Sequence, residues 1–276
     1  MTMSSRLEIA SATDPGVVRS FNEDSIAIDN DLQLLVLADG MGGYKAGDVA
    51  SAMATGLIVD DIKRKLGIAN ARQLAKSEQV SPESVVIKTA IEKANRAIFK
   101  TAEANNKYHG MGTTVVVALF HNNRVTIAHA GDSRLYRLRH GNFELLTHDH
   151  SLLQEQVEMG LISSEEAKVS HNRNLVTRAL GVESEIKVDL SEKNVLPGDV
   201  YLLCSDGLND MVDDADIELA MNELQSNLSL AANQLVQMAN DNGGHDNVSV
   251  LIAKVVNEMN EERSLSDRLF GWLKKF

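Results

Sequence analysis

Three aspartates, each next to a glycine or an asparagine and each adjoining an apolar run, are the residues of this sequence best suited to chemistry. They are Asp39 in LLVLADGMGG, Asp206 in VYLLCSDGLND and Asp246 in GGHDNVSVLIA. A strand that ends in a carboxylate brings a charge to a place where desolvation is costly, and a bound cation offsets that cost. Asp-Gly by itself is ordinary turn chemistry. Because three such aspartates are spread along the chain, the pattern predicts a divalent-metal site.

Composition limits the kind of protein to which such a site can belong. With 276 residues, 43% of them hydrophobic, the chain can bury the core of one large domain, which we favour over two small ones. A net charge of −12 argues against binding to the phosphate backbone of nucleic acid. The single cysteine, Cys204, excludes an internal disulfide and fits a reducing compartment. We see no signal peptide or membrane span in the sequence and therefore expect a cytoplasmic protein.

Apolar and β-branched runs predict strands, and longer periodic patterns predict helices. The predicted strands are Leu32 to Ala38, Thr113 to Phe120, Arg124 to Ala128, Val200 to Cys204 and Asn247 to Val255. The predicted helices are Gly47 to Leu66, Pro82 to Ala104, and Asp214 to Asn240 with a break near Ser226 to Ser229. Because strands and helices occur in blocks, the order favours antiparallel sheets covered by helices over a doubly wound parallel sheet.

Several familiar sites do not fit the sequence. The glycines of GMGGYKAGD do not form GxGxxG, and Asp48 stands where a P-loop needs lysine. Cys204 lies inside an apolar run, which is unsuitable for a thiolate nucleophile. The H-x-H pair His148 and His150, and the separate His129, are interpreted as structural residues and are not assigned to a metal.

Eight short segments follow one another in an order that is typical of one family. They are RSFNED (19–24), ADGMGG (38–43), GMGTT (110–114), GDSR (131–134), LTHDHS (146–151), VTRALG (176–181), SDGL (205–208) and DNVSV (246–250). Over about residues 8–255 the chain resembles the metal-dependent type 2C (PPM) Ser/Thr protein phosphatases, and its compact length is closer to the bacterial members. The resemblance implies an α+β fold, a four-layer αββα sandwich. In that fold two stacked antiparallel β-sheets are flanked by antiparallel helix pairs, with a di-metal site at one end.

The resemblance also implies roles for individual residues. Asp39 would bridge two Mn(II) or Mg(II) ions, the carbonyl of Gly40 would bind one of them, and Asp206 and Asp246 would complete the other. Asp132, together with Asp206, would bind a possible third and weaker ion. All of these ligands are hard oxygens, which suit Mg(II) or Mn(II) better than zinc.

Further residues surround this implied centre. Glu23 and Asp24 would hold coordinated waters, and Arg19 is the natural phosphate clamp because its planar fork matches two phosphoryl oxygens. Met41 stands where animal relatives place a histidine, so the proton source for the leaving group stays open, with a metal-bound water as our hypothesis. The polar stretch 151–173 predicts either a mobile flap of two short helices or a plain surface excursion. A flap there would contact substrate near Ser151 and Arg173.

The expected activity is hydrolysis of phosphoserine and phosphothreonine in proteins by direct attack of a metal-bridging water. This activity would reverse signalling by a cognate bacterial Ser/Thr kinase. Two alternatives are a catalytically idle phosphoprotein-binding regulator and a di-metal phosphodiesterase. We expect a monomer that does not bind nucleic acid.

The last residues lie beyond the resemblance. We expect a phosphatase domain at 1–256 and an amphipathic helical tail at 257–276. The tail has apolar residues at helical spacing, namely Leu265, Leu269, Phe270, Leu273 and Phe276. It would dock either on its own domain or on a membrane surface or partner.

Overall fold

The computed structural model describes residues 6–42, 46–67, 81–163, 166–167 and 175–257, and the strands in these ranges form two antiparallel sheets. The first sheet has the order β1-β11-β10-β7-β8, with β1 Leu7–Asp14, β7 Arg134–Arg139, β8 Asn142–Leu145, β10 Val200–Cys204 and β11 Val248–Val255. The second has the order β2-β3-β5-β6-β9, with β2 Asp24–Asp29, β3 Leu34–Met41, β5 Val115–His121, β6 Arg124–Ala130 and β9 Asp189–Asn194. The short β4, Gly112–Thr113, pairs with β3.

Helices cover the outer face of each sheet. In the described ranges they are α1 Ala46–Gly67, α2 Pro82–Ala104, α3 Leu152–Glu158, α4 Asp206–Asn209, α5 Asp214–Leu224 and α6 Leu228–Asp241, with a 3₁₀ turn at Asn106–Tyr108. The pair α1 and α2 packs on the second sheet, and the pair α5 and α6 packs on the first. No helix in the part of the chain that the structure describes is long and apolar enough to cross a bilayer.

Strand β3 shows why the sequence produces four layers. Its side chains alternate between the two faces of the sheet, as they do in any strand. Leu34 and Val36 pack in the core beneath α1 and α2, whereas Leu35 and Leu37 pack between the sheets against residues such as Leu203. An unbroken apolar run is therefore needed, because both faces of this strand are buried.

The predicted elements agree with the structure where the sequence is most apolar. The bounds of α2 and β10 are as predicted, and the predicted third helix is divided into α5 and α6, with Asn227 capping α6 through the N–H of Leu230. Strands β1, β2, β7, β8 and β9 were not predicted. β1, β2, β8 and β9 lie at the edges of their sheets and keep a polar face, so their apolar signal is weak. β7 lies inside its sheet, but three of its six residues are arginine, which weakens the same signal.

Two sequence predictions fall partly or wholly outside the described residues. In the 151–173 stretch, helix α3 is one of the two short helices expected for a flap, while residues 164–165 and 168–174 are not described. The tail helix predicted for 257–276 also lies outside the described residues, apart from residue 257.

Candidate metal centre

The acidic residues meet where strand ends from both sheets come together. Asp24, the first residue of β2, lies directly opposite Asp39 in the antiparallel β2–β3 register. Asp206 begins α4 immediately beyond β10, and Asp246 precedes β11, which pairs with β10. Because β10 runs antiparallel to β11, the end of one strand lies beside the start of the other. Both sheets therefore contribute carboxylates to a single site.

Three carboxyl groups form the centre of this site. The carboxyl of Asp39 is close enough to those of Asp24 and Asp206 for their charges to raise its pKa. Oδ2 of Asp24 accepts a 2.9 Å hydrogen bond from the hydroxyl of Ser205. Oδ1 of Asp24 and Oδ1 of Asp206 are enclosed and have no hydrogen-bond partner. Enclosed oxygens without partners are costly, and a divalent cation with a preference for oxygen ligands fits this donor set.

The pKa values in the cluster reflect this crowding. Burial, followed by the charges of neighbouring aspartates, raises the pKa of Asp39 and Asp206 well above its usual range. Burial also raises the pKa of Asp24 to about 6 and that of Asp132 to about 7. Carboxylates this close cannot all stay ionised unless positive charge is supplied. The electrostatics therefore agree with a cation-binding centre.

Asp132 extends the centre into a cleft of about 630 Å³. It lies in the loop after β6 and is 7% exposed. The loop is held by a 2.7 Å hydrogen bond between the hydroxyls of Ser133 and Thr114, and the N–H of Asp39 donates to the same Thr114 hydroxyl at 3.1 Å. The cleft is lined by Asp132, Asp206, Asp149, Asp210, Ser151 and Gln154, among others. The expected ligand of a third ion is thus fixed to the same framework as Asp39.

Arg19 lies at the mouth of the site. Its Nη2 is 2.7 Å from Oδ2 of Asp246, and its side chain is 51% exposed. Asn247 fixes the loop that carries it, because the Asn247 amide donates to the carbonyl of Phe21 at 2.8 Å and accepts the N–H of Glu23 at 2.7 Å. This role of Asn247 was missed by our sequence reasoning, although the residue lies in the DNVSV segment. The guanidinium is therefore placed beside the carboxylates and is open to solvent.

Gly40 lies where two backbone segments touch. A Cβ on Gly40 would lie 2.1 Å from the carbonyl oxygen of Gly47 and 2.5 Å from that of Glu23. The family resemblance implies that the carbonyl of this glycine binds an ion, which does not by itself require a glycine. In the structure, the space beside its Cα is filled by backbone. Glycine is required there because β3, the start of α1 and the residue before β2 pack in direct contact.

A second cluster of possible ligands involves the histidines. Ligand atoms of His129, His150 and Asp189 all lie within 4.8 Å of one another. However, Nη1 of Arg178 is 2.9 Å from Nε2 of His150 and 3.1 Å from Oδ1 of Asp189. The N–H of Gly131 donates to Nδ1 of the same imidazole at 3.1 Å. The guanidinium and the backbone amide already occupy both edges of the imidazole, so the contacts agree with the structural role that we predicted for the two histidines.

The remaining site predictions concern Ser151, Arg173 and Met41. Ser151 lines the cleft but is 8% exposed, and its hydroxyl accepts the N–H of Gln154 at 3.3 Å as the N-cap of α3. Arg173 lies outside the described residues. The methyl group of Met41 lies beside Gly112. Ser151 is therefore chiefly a helix cap, and Met41 fills space at the end of β3.

With this geometry established, comparison with known proteins places the chain in a family. The model of the protein phosphatase 2C family matches residues 17–242. The serine/threonine phosphatase stp of Listeria innocua is 39% identical over 245 residues, which are 88% of this chain and 93% of the relative. The chain belongs to the protein phosphatase 2C family.

Solved structures give the same result. The serine/threonine phosphatase PstP of Mycobacterium tuberculosis is similar with a TM-score of 0.78 and 37% identity, covering 91% of this chain and 99% of that one. Stp1 of Staphylococcus aureus has a TM-score of 0.79 and 35% identity, covering 93% and 98%. A structure of the PstP catalytic domain in complex with two manganese ions has a TM-score of 0.75 and 36% identity, covering 91% and 99%. These comparisons confirm the predicted family, its bacterial type, the α+β fold and the class of enzyme, a Ser/Thr protein phosphatase.

Proposed function

We propose that this protein hydrolyses phosphoserine and phosphothreonine in proteins with two core Mn(II) or Mg(II) ions and a third, weaker one. The observation that carries this proposal is the pair of enclosed, unpartnered oxygens of Asp24 and Asp206, both close enough to Asp39 to raise its pKa. The manganese-bound relative supports the choice of metal. Asp39, the carbonyl of Gly40, Asp206 and Asp246 would hold the core ions, Glu23 and Asp24 would act through water, and Asp132 would hold the third ion.

The chemistry of such ions suits phosphate ester hydrolysis. When bound, they supply Lewis-acid activation of a water nucleophile and neutralise charge on the phosphoryl group. The protein contributes the placement of the reacting groups. Arg19 is close enough to the carboxylates to bind phosphoryl oxygens as the ester enters, and its charge is permanent.

Arg19 can exchange its ion pair with Asp246 for a contact with the phosphoryl group at little cost in free energy. Its ion pair with Asp246 is half exposed, and exposed pairs are worth only about 0–1 kcal/mol. A phosphoryl group offers two oxygens in the plane of the guanidinium fork and a larger negative charge. Arg19 is therefore free to leave Asp246 when substrate binds, which would also release Asp246 for an ion.

We further propose that the protein acts as a cytoplasmic monomer on proteins phosphorylated by a bacterial Ser/Thr kinase. The bacterial relatives named Ser/Thr phosphatase support the class of substrate. The buried, free Cys204 is compatible with a reducing compartment. Sedimentation of the full chain tests the monomer, and a second species at micromolar concentration would contradict it.

The proposed function is tested by phosphate release from a phosphothreonine peptide, measured with Mn(II), with a chelator, and with Asp206→Asn protein. We expect turnover that needs Mn(II) and falls at least about 100-fold in the variant, because one core ion loses a ligand. Asp241→Asn, which changes an exposed carboxylate on α6, serves as the matched control and should keep wild-type turnover. Equal turnover in the wild type and the Asp206 variant, or turnover that survives the chelator, would refute the proposal.

A further inference from the structure

His150 lies where three backbone segments meet. Its side chain is 2% exposed. One neighbouring segment is the loop that ends at Asp132, and the second is the cleft wall, which we define as Ser151 together with α3. The third is the return segment, residues 175–180, which follows the undescribed part of the 151–173 stretch. A single residue thus touches the loop of the expected third ion and both ends of a polar excursion.

His150 forms hydrogen bonds to Gly131 through both its side chain and its main chain. Its Nδ1 accepts the N–H of Gly131 at 3.1 Å, and its own N–H donates to the carbonyl of Gly131 at 3.0 Å. Gly131 immediately precedes Asp132 and has φ +115, a conformation that favours glycine. The position of the Asp132 backbone therefore depends on how the imidazole of His150 is held.

Both nitrogens of the imidazole have polar neighbours. Nδ1 accepts the N–H of Gly131 at 3.1 Å, and Nε2 lies 2.9 Å from Nη1 of Arg178 and 3.3 Å from Oδ2 of Asp189. The guanidinium of Arg178 lies against the same edge of the ring and donates to Oδ1 of Asp189 at 3.1 Å. Burial, followed by the charges of His129 and Arg178, lowers the pKa of His150 to about 4. The ring therefore stays neutral near pH 7.

The cleft wall and the return segment are joined by hydrogen bonds at and beside this histidine. The carbonyl of His150 accepts the N–H of Thr177 at 2.8 Å, and the N–H of Leu152 donates to the carbonyl of Leu175 at 2.8 Å. The hydroxyl of Thr177 also donates to Glu155 of α3 at 2.8 Å. A displacement of either segment is thus transmitted through His150 to Gly131.

We propose that His150 is a positioning residue that couples the cleft wall and the return segment to the Asp132 loop. Ion binding at Asp132 and the arrangement of the cleft wall then depend on each other, because a coupling between two sites is reciprocal. The inference rests on the proposed function for the role of Asp132. It names no contact between His150 and substrate, and it assigns His150 no proton transfer.

Three substitutions at His150 distinguish the contribution of Nδ1 from that of Nε2. His150→Ala removes both edges, His150→Asn keeps an acceptor near the position of Nδ1, and His150→Gln keeps a polar group near the position of Nε2. His121→Ala is the matched control, because His121 is also a mostly buried histidine but lies at the far end of β5, where it bonds Thr126. Amide hydrogen exchange of the full chain, with and without Mn(II), reports the coupling segment by segment.

In the wild type and in His121→Ala, we expect Mn(II) to slow exchange about fivefold or more in the Asp132 loop, the cleft wall and the return segment. In His150→Ala and His150→Gln, the slowing should be confined to the Asp132 loop or lost, while His150→Asn should keep the wild-type pattern. A role in packing alone would give the opposite order, because glutamine is closer to histidine in volume than asparagine is. If the Ala variant does not fold, the difference in hydrogen exchange between the Asn and Gln variants still tests the proposal.

Two results would overturn the inference. One is wild-type slowing in all three regions of His150→Ala or His150→Gln. The other is a wild-type protein in which Mn(II) leaves the cleft wall and the return segment unchanged. The exchange measurement does not involve turnover, so a failed phosphatase assay would refute the proposed function without changing the meaning of the exchange result.

Discussion

At the scale of single residues, the ion pair between Arg19 and Asp246 joins the proposed phosphate-binding residue to a proposed metal ligand. It is 2.7 Å long and half exposed, so it places the guanidinium without fixing it permanently. Asp246 itself and the neighbouring Asp39 and Asp206 could be singled out from the sequence, because each adjoins an apolar run. The supporting residues Ser205 and Asn247 could not be assigned roles in advance. Their bonds to Asp24 and Glu23 join segments more than 180 residues apart.

Replacing Arg19 by alanine should raise KM for a phosphothreonine peptide about tenfold, because two charge-assisted hydrogen bonds to the phosphoryl group are lost. Mn(II) binding should be retained, since Arg19 is not a ligand and Asp246 loses only a competitor. Steady-state kinetics and calorimetry measure the two quantities. Arg19→Lys, which keeps the charge but not the fork, should give an intermediate KM. An unchanged KM in the alanine variant would remove Arg19 from the phosphate site.

At the scale of elements, Asp61 links α1 and α2. It is 6% exposed and forms ion pairs with Arg64, with Lys65 at 2.9 Å and with Lys93 of α2 at 2.9 Å. Burial alone would raise the pKa of Asp61, but the hydrogen bonds from Lys93 and Lys65 outweigh it and lower the pKa to about 2. A carboxyl whose pKa is lower in the folded state stabilises the fold above its unfolded pKa, and this stabilisation is lost as pH falls.

Asp61→Asn should therefore reduce the free energy of unfolding at pH 7 by about 1 kcal/mol, a modest value because two of the three cations are well exposed. The difference from the wild type should shrink between about pH 4 and pH 2, where Asp61 itself becomes protonated. Urea unfolding at a series of pH values gives this difference. Asp60→Asn, at the exposed neighbouring position, is the control. A difference that stays constant from pH 7 to pH 2 would contradict the assigned ion pairs.

The contact between the two sheets is the other main interaction between elements. Leu203 of β10 is fully buried there, in the same core as Leu35, Leu37 and Leu251. The central strands β3, β5, β6, β10 and β11 could be predicted from their continuous apolar runs. Their order in each sheet could not, because β1 pairs with β11 across most of the chain and no local pattern records that pairing.

Leu203→Ala should lower the free energy of unfolding by about 3 kcal/mol, the combined effect of lost burial and an unfilled cavity. Leu230→Ala removes the same atoms from a side chain on α6 that is 50% exposed, and it should change stability by less than about 0.5 kcal/mol. Chemical denaturation of both variants makes the comparison. Equal effects of the two substitutions would mean that the contact between the sheets is not the tightly packed core described above.

At the scale of the whole molecule, the fold concentrates negative charge at the end where its two sheets meet. The net charge of −12 makes this arrangement costly without cations, and the enclosed oxygens of Asp24 and Asp206 are the sharpest instance of that cost. A centre of this kind opposes folding until it binds its ligand. Ligand binding to the folded state alone then raises stability with the logarithm of the ligand concentration.

Asp206→Asn should therefore have opposite effects with and without metal. In chelator, the variant should melt about 5 °C above the wild type, because one buried carboxylate among several is neutralised. In millimolar Mn(II), the wild type should gain more than the variant and the order should be reversed. Thermal unfolding with and without Mn(II) tests this, with Asp241→Asn as the control at an exposed carboxylate. A variant that melts lower in both conditions would show that Asp206 has a different structural role.

The most direct test of the assigned centre is anomalous diffraction from crystals of the full chain soaked in Mn(II). Among the described residues, His129, His150 and Asp189 have ligand atoms within 4.8 Å of one another, but the enclosed oxygens without partners belong to Asp24 and Asp206 of the aspartate cluster. We predict anomalous peaks within coordination distance of Asp39, Asp206 and Asp246, and none between His129, His150 and Asp189, where Arg178 lies. A peak at the histidine cluster with none at Asp39 would contradict the assignment of the metal centre and the function built on it.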